Sequence, residues 1–450
     1  MLCIFVTLKG LTNGDIPLLG IKFVNPKKFS FTNAIYYGWC LVGVALIAQM
    51  VSVGVQNYVF GPFQRPMTEE LNWSRSEFVV ARTIGMALFA LTGIVIGSYV
   101  DRHGGKGLMR TGAIIVAISM FLQSFVQELW QWWILNGLIL TSGAAMMGNL
   151  VVNVTISKWF VEKRGRAIGF ASMGVPAAGI VVTPLAAILI DAVGWREAWR
   201  WLALAALLIM IPLSTFMRRT PEDYELLPDG KKADEEFDDE NSPASLDYAN
   251  SLTRTQALRS KSFYLIILAF GLGNLSIGMI LVNAIPFMED AGYSKTTAAL
   301  MITVLSIPSM ITKPIWGALS DYFNVQKMSV IGFVFIGISL VVIVFAVRIN
   351  FDLLTYFGFF LLGMGWGGSI PLQEVIWARF FGRRYLGAVR SAGMPFTFLM
   401  MASAPIATAF YFDIVGNYDG AFLFVSAMAF VAVFLILYAK PPLRKNLEAS

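Results

Sequence analysis

Cysteine and histidine are nearly missing from this chain, which has two cysteines and one histidine in 450 residues. Cys3 and Cys40 cannot build a disulfide framework, and neither reads as part of a metal site. With His103 as the sole imidazole, no metal-ligand spacing and no Ser-His-Asp set can be assembled. An enzyme is therefore not expected, and no cofactor is called for. Charge is scarce as well. Only 14% of the residues are Asp, Glu, Lys or Arg, well below the share a soluble chain carries. The basic residues are not clustered in any soluble domain, which excludes nucleic acid as a partner.

Apolar residues fill the space left by charge. They make up 57% of the chain, and mean hydropathy is +0.67. Largely apolar stretches recur, each long enough to span a bilayer as a helix. They are continuous rather than alternating, so helices are expected and a barrel is not. Twelve spans are predicted, near 35–60, 76–100, 107–126, 130–157, 163–190 and 198–217, then 261–288, 294–319, 325–347, 352–379, 385–412 and 418–438. The expected fold is an all-α membrane protein with twelve transmembrane helices in two pseudo-symmetric six-helix bundles. The bundles cover 35–217 and 261–438, with tails at 1–34 and 439–450 and a linker at 218–260. Leu2 to Leu8 is too brief an apolar run for a signal segment.

Lys and Arg set the orientation. Of 34 such residues, six (Arg65, Arg75, Arg196, Arg200, Lys295 and Arg348) fall in one set of loops, and Arg82 and Lys313 fall inside spans. All the others lie on the side shared by both termini, which is therefore expected to be cytoplasmic, in a cell (inner or plasma) membrane. The pI near 9.2 reports this topology. The linker passes through Pro221, Pro228 and the acidic run Asp234 to Glu240. It reads as a flexible, solvated spacer that lets the halves move, with a short helix near 251–260.

The halves repeat each other. Gly97-Ser98-Tyr99-Val100-Asp101 returns 220 residues later as Gly317-Ala318-Leu319-Ser320-Asp321, each time where an apolar stretch ends. Gly174-Val175-Pro176 matches Gly393-Met394-Pro395. Trp159-Phe160 followed by Arg164-Gly165-Arg166 matches Arg379-Phe380-Phe381-Gly382-Arg383-Arg384. Repeated halves of this kind read as a transporter with a pseudo-twofold axis and its substrate between them.

The loop Gly97-x-x-x-Asp101-Arg102-x-Gly104-Gly105-Lys106 resembles the signature loop of the major facilitator superfamily. More narrowly, four segments resemble the monocarboxylate transporter-like branch: Tyr37-Gly38-Trp39, Asn72-Trp73-Ser74-Arg75-Ser76-Glu77, Lys313-Pro314-Ile315-Trp316-Gly317 and Phe381 to Gly387. The superfamily arrangement implies that Asp101 caps the start of the eleventh span and meets Arg383 or Arg384. It likewise implies that Asp321 faces Gly165 and Arg166. Asp101, Arg102, Asp321 and Arg383 are thus expected to gate the cytoplasmic side. The branch usually places an arginine where this chain has Lys313, and by resemblance that cation pairs with a substrate carboxylate. An aspartate that often carries the proton, four residues earlier, is replaced by Ser309. Asn57 stands where some relatives have a lysine.

Physical reasoning bears on the same residues. Lys313 lies eight positions before Asp321, about 12 Å into the membrane. A cation there costs roughly 2.5–3.5 kcal/mol or more unless it meets water or a partner. It either binds an anion, the favoured reading, or snorkels to the surface. Arg82 either contributes to an outer positive funnel, or snorkels outward or pairs with an acid such as Glu77. Glu374 and Arg390 are at similar depth and are expected to form a structural ion pair, with proton carriage by Glu374 as the second reading. Gln49, Asn57, Asn149 and Asn274 are polar candidates for the seam, and Trp366 and Phe396 for an apolar wall. The leading expectation is a secondary transporter for a small organic anion, most plainly a monocarboxylate, with proton coupling left open. It would act as a monomer in the bilayer by alternating access. An exporter of amphipathic or cationic compounds and a non-transporting membrane sensor are the alternatives.

Overall fold

The computed structural model describes residues 36–230 and 243–442. The N-terminal tail, the acidic run 234–240 and most of the C-terminal tail lie outside the described residues. Among the described residues every regular element is a helix. The first half contributes α1 (Tyr37–Leu71), α2 (Arg75–His103), α3 (Gly105–Gln123) and α4 (Leu129–Trp159). The stretch Arg164–Phe216 then holds both α5 (164–193) and α6 (195–216). The second half contributes α7 (Lys261–Asp290), α8 (Lys295–Tyr322), α9 (Val325–Arg348), α10 (Asp352–Phe381), α11 (Leu386–Val415) and α12 (Asp419–Tyr438). Two short helices, Pro243–Ala249 and Arg254–Arg259, lie in the linker between α6 and α7.

The break between α5 and α6 rests on one residue. Gly194 has φ 79° and ψ 161°, a region that is open almost only to glycine. The chain can therefore reverse there without a longer loop.

The first helix outruns the span expected to end near residue 60. A π-helical turn at Gly54–Tyr58 widens it, and Phe60–Leu71 continues the helix. That second segment stays helical because its apolar face is buried. Phe63 stacks on Trp199 of α6 with centroids 3.9 Å apart, and Phe60 meets Phe78 of α2 at 4.6 Å. Asn72, with φ 55°, ends it. On this same face, opposite the linker, Arg196 pairs with Glu70, and Arg348 pairs with Asp419. Each of these pairs stays within its own half.

Replacing Gly194 with alanine should force a side chain into the left-handed region and cost about 1–3 kcal/mol. The expected outcome is a thermal midpoint in detergent lowered by several degrees. An unchanged midpoint would show that the break does not depend on glycine.

Candidate functional site

Two carboxylates fasten the halves together at the linker face. The Asp101 carboxylate, in the last turn of α2, accepts the Gly387 N–H at 3.1 Å and the Ala388 N–H at 2.8 Å. These are first-turn amides of α11, which have no partner inside their own helix. The positive end of the helix dipole adds to the attraction. Asp321, at the end of α8, does the same for α5. It accepts the Gly165 N–H at 2.6 Å and the Arg166 N–H at 3.0 Å, and the Arg166 guanidinium lies 3.0 Å away.

The glycine of each motif lies one helical turn before the carboxylate, on the same face. A Cβ on Gly97 would stand 2.1 Å from the Gly387 carbonyl oxygen, and one on Gly317 would stand 2.1 Å from that of Gly165. The glycines thus let backbones touch, and that contact brings each carboxylate within reach of the facing amides.

The side-chain partner of Asp101 differs from the expected Arg383 or Arg384. Lys158 of α4 lies 2.9 Å from the carboxylate, and both side chains are buried. Arg383 is held elsewhere. It meets Glu222 at 2.6 Å and Asp247 at 3.7 Å, and it donates to the Lys158 carbonyl at 2.9 Å. Arg102 faces outward, and its carbonyl accepts from Arg219 at 2.9 Å. One sequence signal for Lys158 existed. Lys158-Trp159-Phe160 parallels Arg379-Phe380-Phe381, and Arg379 also binds the end of the facing helix, at the Ser320 carbonyl, 2.6 Å away.

The linker is not a free spacer where it is described. Asp229 accepts the N–H groups of Val161, Glu162 and Lys163, each at 2.9 Å. Asp247 sits between Arg164 of the first half, at 3.3 Å, and Arg383 of the second, at 3.7 Å. Leu252 donates to the Phe381 carbonyl at 2.8 Å, and the Arg384 N–H donates to Ser251 Oγ at 3.1 Å. Low hydrophobicity suggested solvation, but buried arginines on both halves and backbone amides of the first half bind these acids. Every hydrogen bond and ion pair that joins the halves, among the described residues, lies on this face.

Deeper in the seam, Lys313 is buried, and its backbone lies against α5. A Cβ on Gly169 would be 2.7 Å from the Lys313 carbonyl oxygen. The buried cations among the described residues are Lys158, Arg164, Lys313, Arg383 and Arg390. All but Lys313 are ion-paired. Ser309, one turn before it, is also buried. Glu374 and Arg390 lie 3.2 Å apart, both buried, with the Arg390 guanidinium 5.7 Å from the Trp377 ring.

In the first half, Gln49 of α1 donates to Asn153 of α4 at 3.0 Å. Three amide atoms here, Gln49 Oε1, Asn149 Oδ1 and Asn153 Nδ2, are buried without a partner. Asn57 is half-buried in the π turn of α1, and Asn274 is half-buried in α7. Trp366 is buried and donates to Ser276 Oγ of α7 at 3.0 Å. Phe396 is not brought to it. It is 56% exposed, on a stripe of α11 with Leu399, Ile406 and Phe410, because position 394 and not 396 turns toward Gly93 of α2. Arg82 is half-buried with its guanidinium 5.9 Å from the Phe60 ring and its Nε unpartnered. Glu77 does not serve it, since that carboxylate closes a capping box with Ser74.

Breaking a buried pair by removing one member leaves the other charge uncompensated, at about 3–5 kcal/mol. Asp101→Asn should therefore destabilise the protein and raise labelling of a cysteine placed at the linker face. The double variant Asp101→Asn/Lys158→Gln should fall well short of the sum of the single losses. Strictly additive losses would dismiss the pair as a unit.

Relatives extend over the whole fold. The sequence model of the Major Facilitator Superfamily matches residues 45–282 and 266–450. The oxalate:formate antiporter of Oxalobacter formigenes is 24% identical over 447 residues, 95% of this chain and 98% of the antiporter. Monocarboxylate transporter 2 of Homo sapiens is 22% identical over 297 residues, 63% of this chain and 60% of that transporter. Among solved structures, the proton:xylose symporter XylE superposes with a TM-score of 0.73 at 13% identity, covering 92% of this chain and 98% of XylE. The E. coli fucose:proton symporter FucP gives 0.67 at 11% identity, covering 90% and 98%. Both structural likenesses concern the fold. With its two six-helix halves and a family match that covers them, the chain belongs to the Major Facilitator Superfamily of transporters.

Proposed function

We propose that this chain moves small organic anions, monocarboxylates foremost, across the cell membrane by alternating access, with Lys313 as the anion-binding residue. The observation that carries the proposal is that Lys313 alone, among the buried cations of the described residues, has no ionic partner. A buried unpaired charge is costly, and a substrate carboxylate removes that cost when it binds. Lysine does so as a point charge rather than a bidentate fork. The unpartnered amide atoms of Gln49, Asn149 and Asn153 offer hydrogen bonds from the other half, and Asn57 and Asn274 lie on helices of the same seam. Arg82 is the outer cation of this path.

The relatives support the substrate class: one exchanges oxalate for formate, and another is named for monocarboxylates. The basic bias of the linker face supports a cytoplasmic position for it and for both termini. Cross-seam bonds confined to that face support an outward-facing conformation. A single chain contains both halves of the path and acts as a monomer. Glu374 serves structure, because Arg390 holds it. That assignment and Ser309 leave exchange of one anion for another as the mode: a site loaded with a monocarboxylate is neutral and closes more readily than an empty one.

Purified protein in liposomes loaded with formate, acetate or oxalate tests this. Labelled anion should enter by counterflow faster than by net uptake. Lys313→Arg should keep part of the activity, and Lys313→Gln should lose it while its thermal midpoint is maintained. Full counterflow by Lys313→Gln would refute the role of Lys313, and net uptake equal to counterflow would refute exchange.

A further inference from the structure

A cavity of about 870 Å³ opens at the linker face, and Lys313 is not among its lining residues. It lies between the end of α2, the linker and the turn that joins α10 to α11. Its lining holds six Lys or Arg and three Asp or Glu. The three acids are committed: Asp101 to Lys158, Glu222 to Arg383 and Asp223 to Arg219. Arg102, Arg254 and Arg384 remain, with no ion pair among the described residues. They come from three separate parts: Arg102 from the first half, Arg254 from the linker and Arg384 from the second half. Arg384 is held in place by aromatic faces, with its guanidinium 5.1 Å from the ring of Tyr248 and 5.1 Å from that of Tyr385.

Arg254 is half-buried, and Arg102 and Arg384 reach the cavity from its solvent-exposed rim. Cations around one cavity draw an anion whose charge their number favours. A monocarboxylate would answer one arginine and leave two without a counter-ion. A phosphate-bearing anion presents several oxygens and at least two charges, which suits the planar forks of more than one arginine. The volume is within the usual range for a small-molecule site. The walls also explain what occupancy would do. They come from both halves and the linker, so an anion bridging them adds a tie to the face that Asp101 and Asp321 already close. Opening this face would pull the walls apart and release the occupant.

We propose that this cavity is a regulatory site for a small phosphate-bearing anion, and that its occupant holds the linker face closed and slows transport. The phosphate belongs either to a free metabolite or to an anionic lipid headgroup, and the experiment separates the two.

The full chain is placed in phosphatidylcholine nanodiscs and titrated with inorganic pyrophosphate, with sodium chloride at matched ionic strength as the control. Pyrophosphate should raise the thermal midpoint by several degrees and lower labelling of a linker-face cysteine. Arg254→Ala and Arg384→Ala should each raise the half-saturating concentration about tenfold or more. In parallel, discs that contain phosphatidylglycerol are compared. If that lipid alone reproduces the shift and pyrophosphate adds nothing, the headgroup is the occupant. No shift beyond the chloride control in either arm, or a half-saturating concentration left unchanged by both variants, would overturn the site. These readouts need no transport substrate, so they stand or fall separately from the role given to Lys313.

Discussion

Carboxylates that reach across the seam to cap a facing helix decide the conformation of this molecule. The first-turn amides of α5 and α11 have no partners within their helices, and the end of each is turned toward the other half. Asp321 and Asp101 supply the acceptors. Without them, two helix starts would present unmet donors between packed helices, a state that folded proteins avoid. With them, the linker face is shut. Even the linker follows this constraint, since Asp229 caps the backbone of 161–163 by the same means.

Much of this arrangement is legible in the sequence. Hydropathy gives twelve spans because each helix must satisfy its own backbone in the bilayer. The superfamily resemblance carried by the doubled Gly-x-x-x-Asp pattern implies Asp321 near Gly165 and Arg166, and depth alone brings Glu374 to Arg390. What escapes is whatever depends on docking rather than on periodicity. Asp247, Glu222 and Asp229 sit in a stretch whose composition reads as solvated, and nothing local indicates that buried Arg164 and Arg383 will bind it. Lys158 counts as one more basic residue on the inner side until the fold sets it beside Asp101. The continuation of α1 to Leu71 depends on Trp199, far along the chain. Phe396 is exposed rather than packed in a wall, since one proline-bearing helix of thirty residues offers several apolar faces and sequence does not say which one is buried.

The two halves share a scaffold but not a charge. Position 93, the counterpart of Lys313 at the 220-residue offset, is glycine. The latches are unequal as well. Lys158 and Asp101 are both buried, whereas the Arg166 side chain is 31% exposed. Screening by water and salt weakens the exposed pair more, so the α5–α8 contact is the softer of the two.

The glycine pairs have a mechanical consequence. Gly97 lies against Gly387, and Gly165 against Gly317, with no side chain between the backbones. Side-chain layers can yield by changing rotamers, but backbones in van der Waals contact have nothing to repack. Such a joint has no partly open setting that keeps some of its contacts: a shift of about an ångström already forfeits a large share of the attraction. The linker face should therefore behave as a snap fastener rather than a spring, spending little time between shut and open.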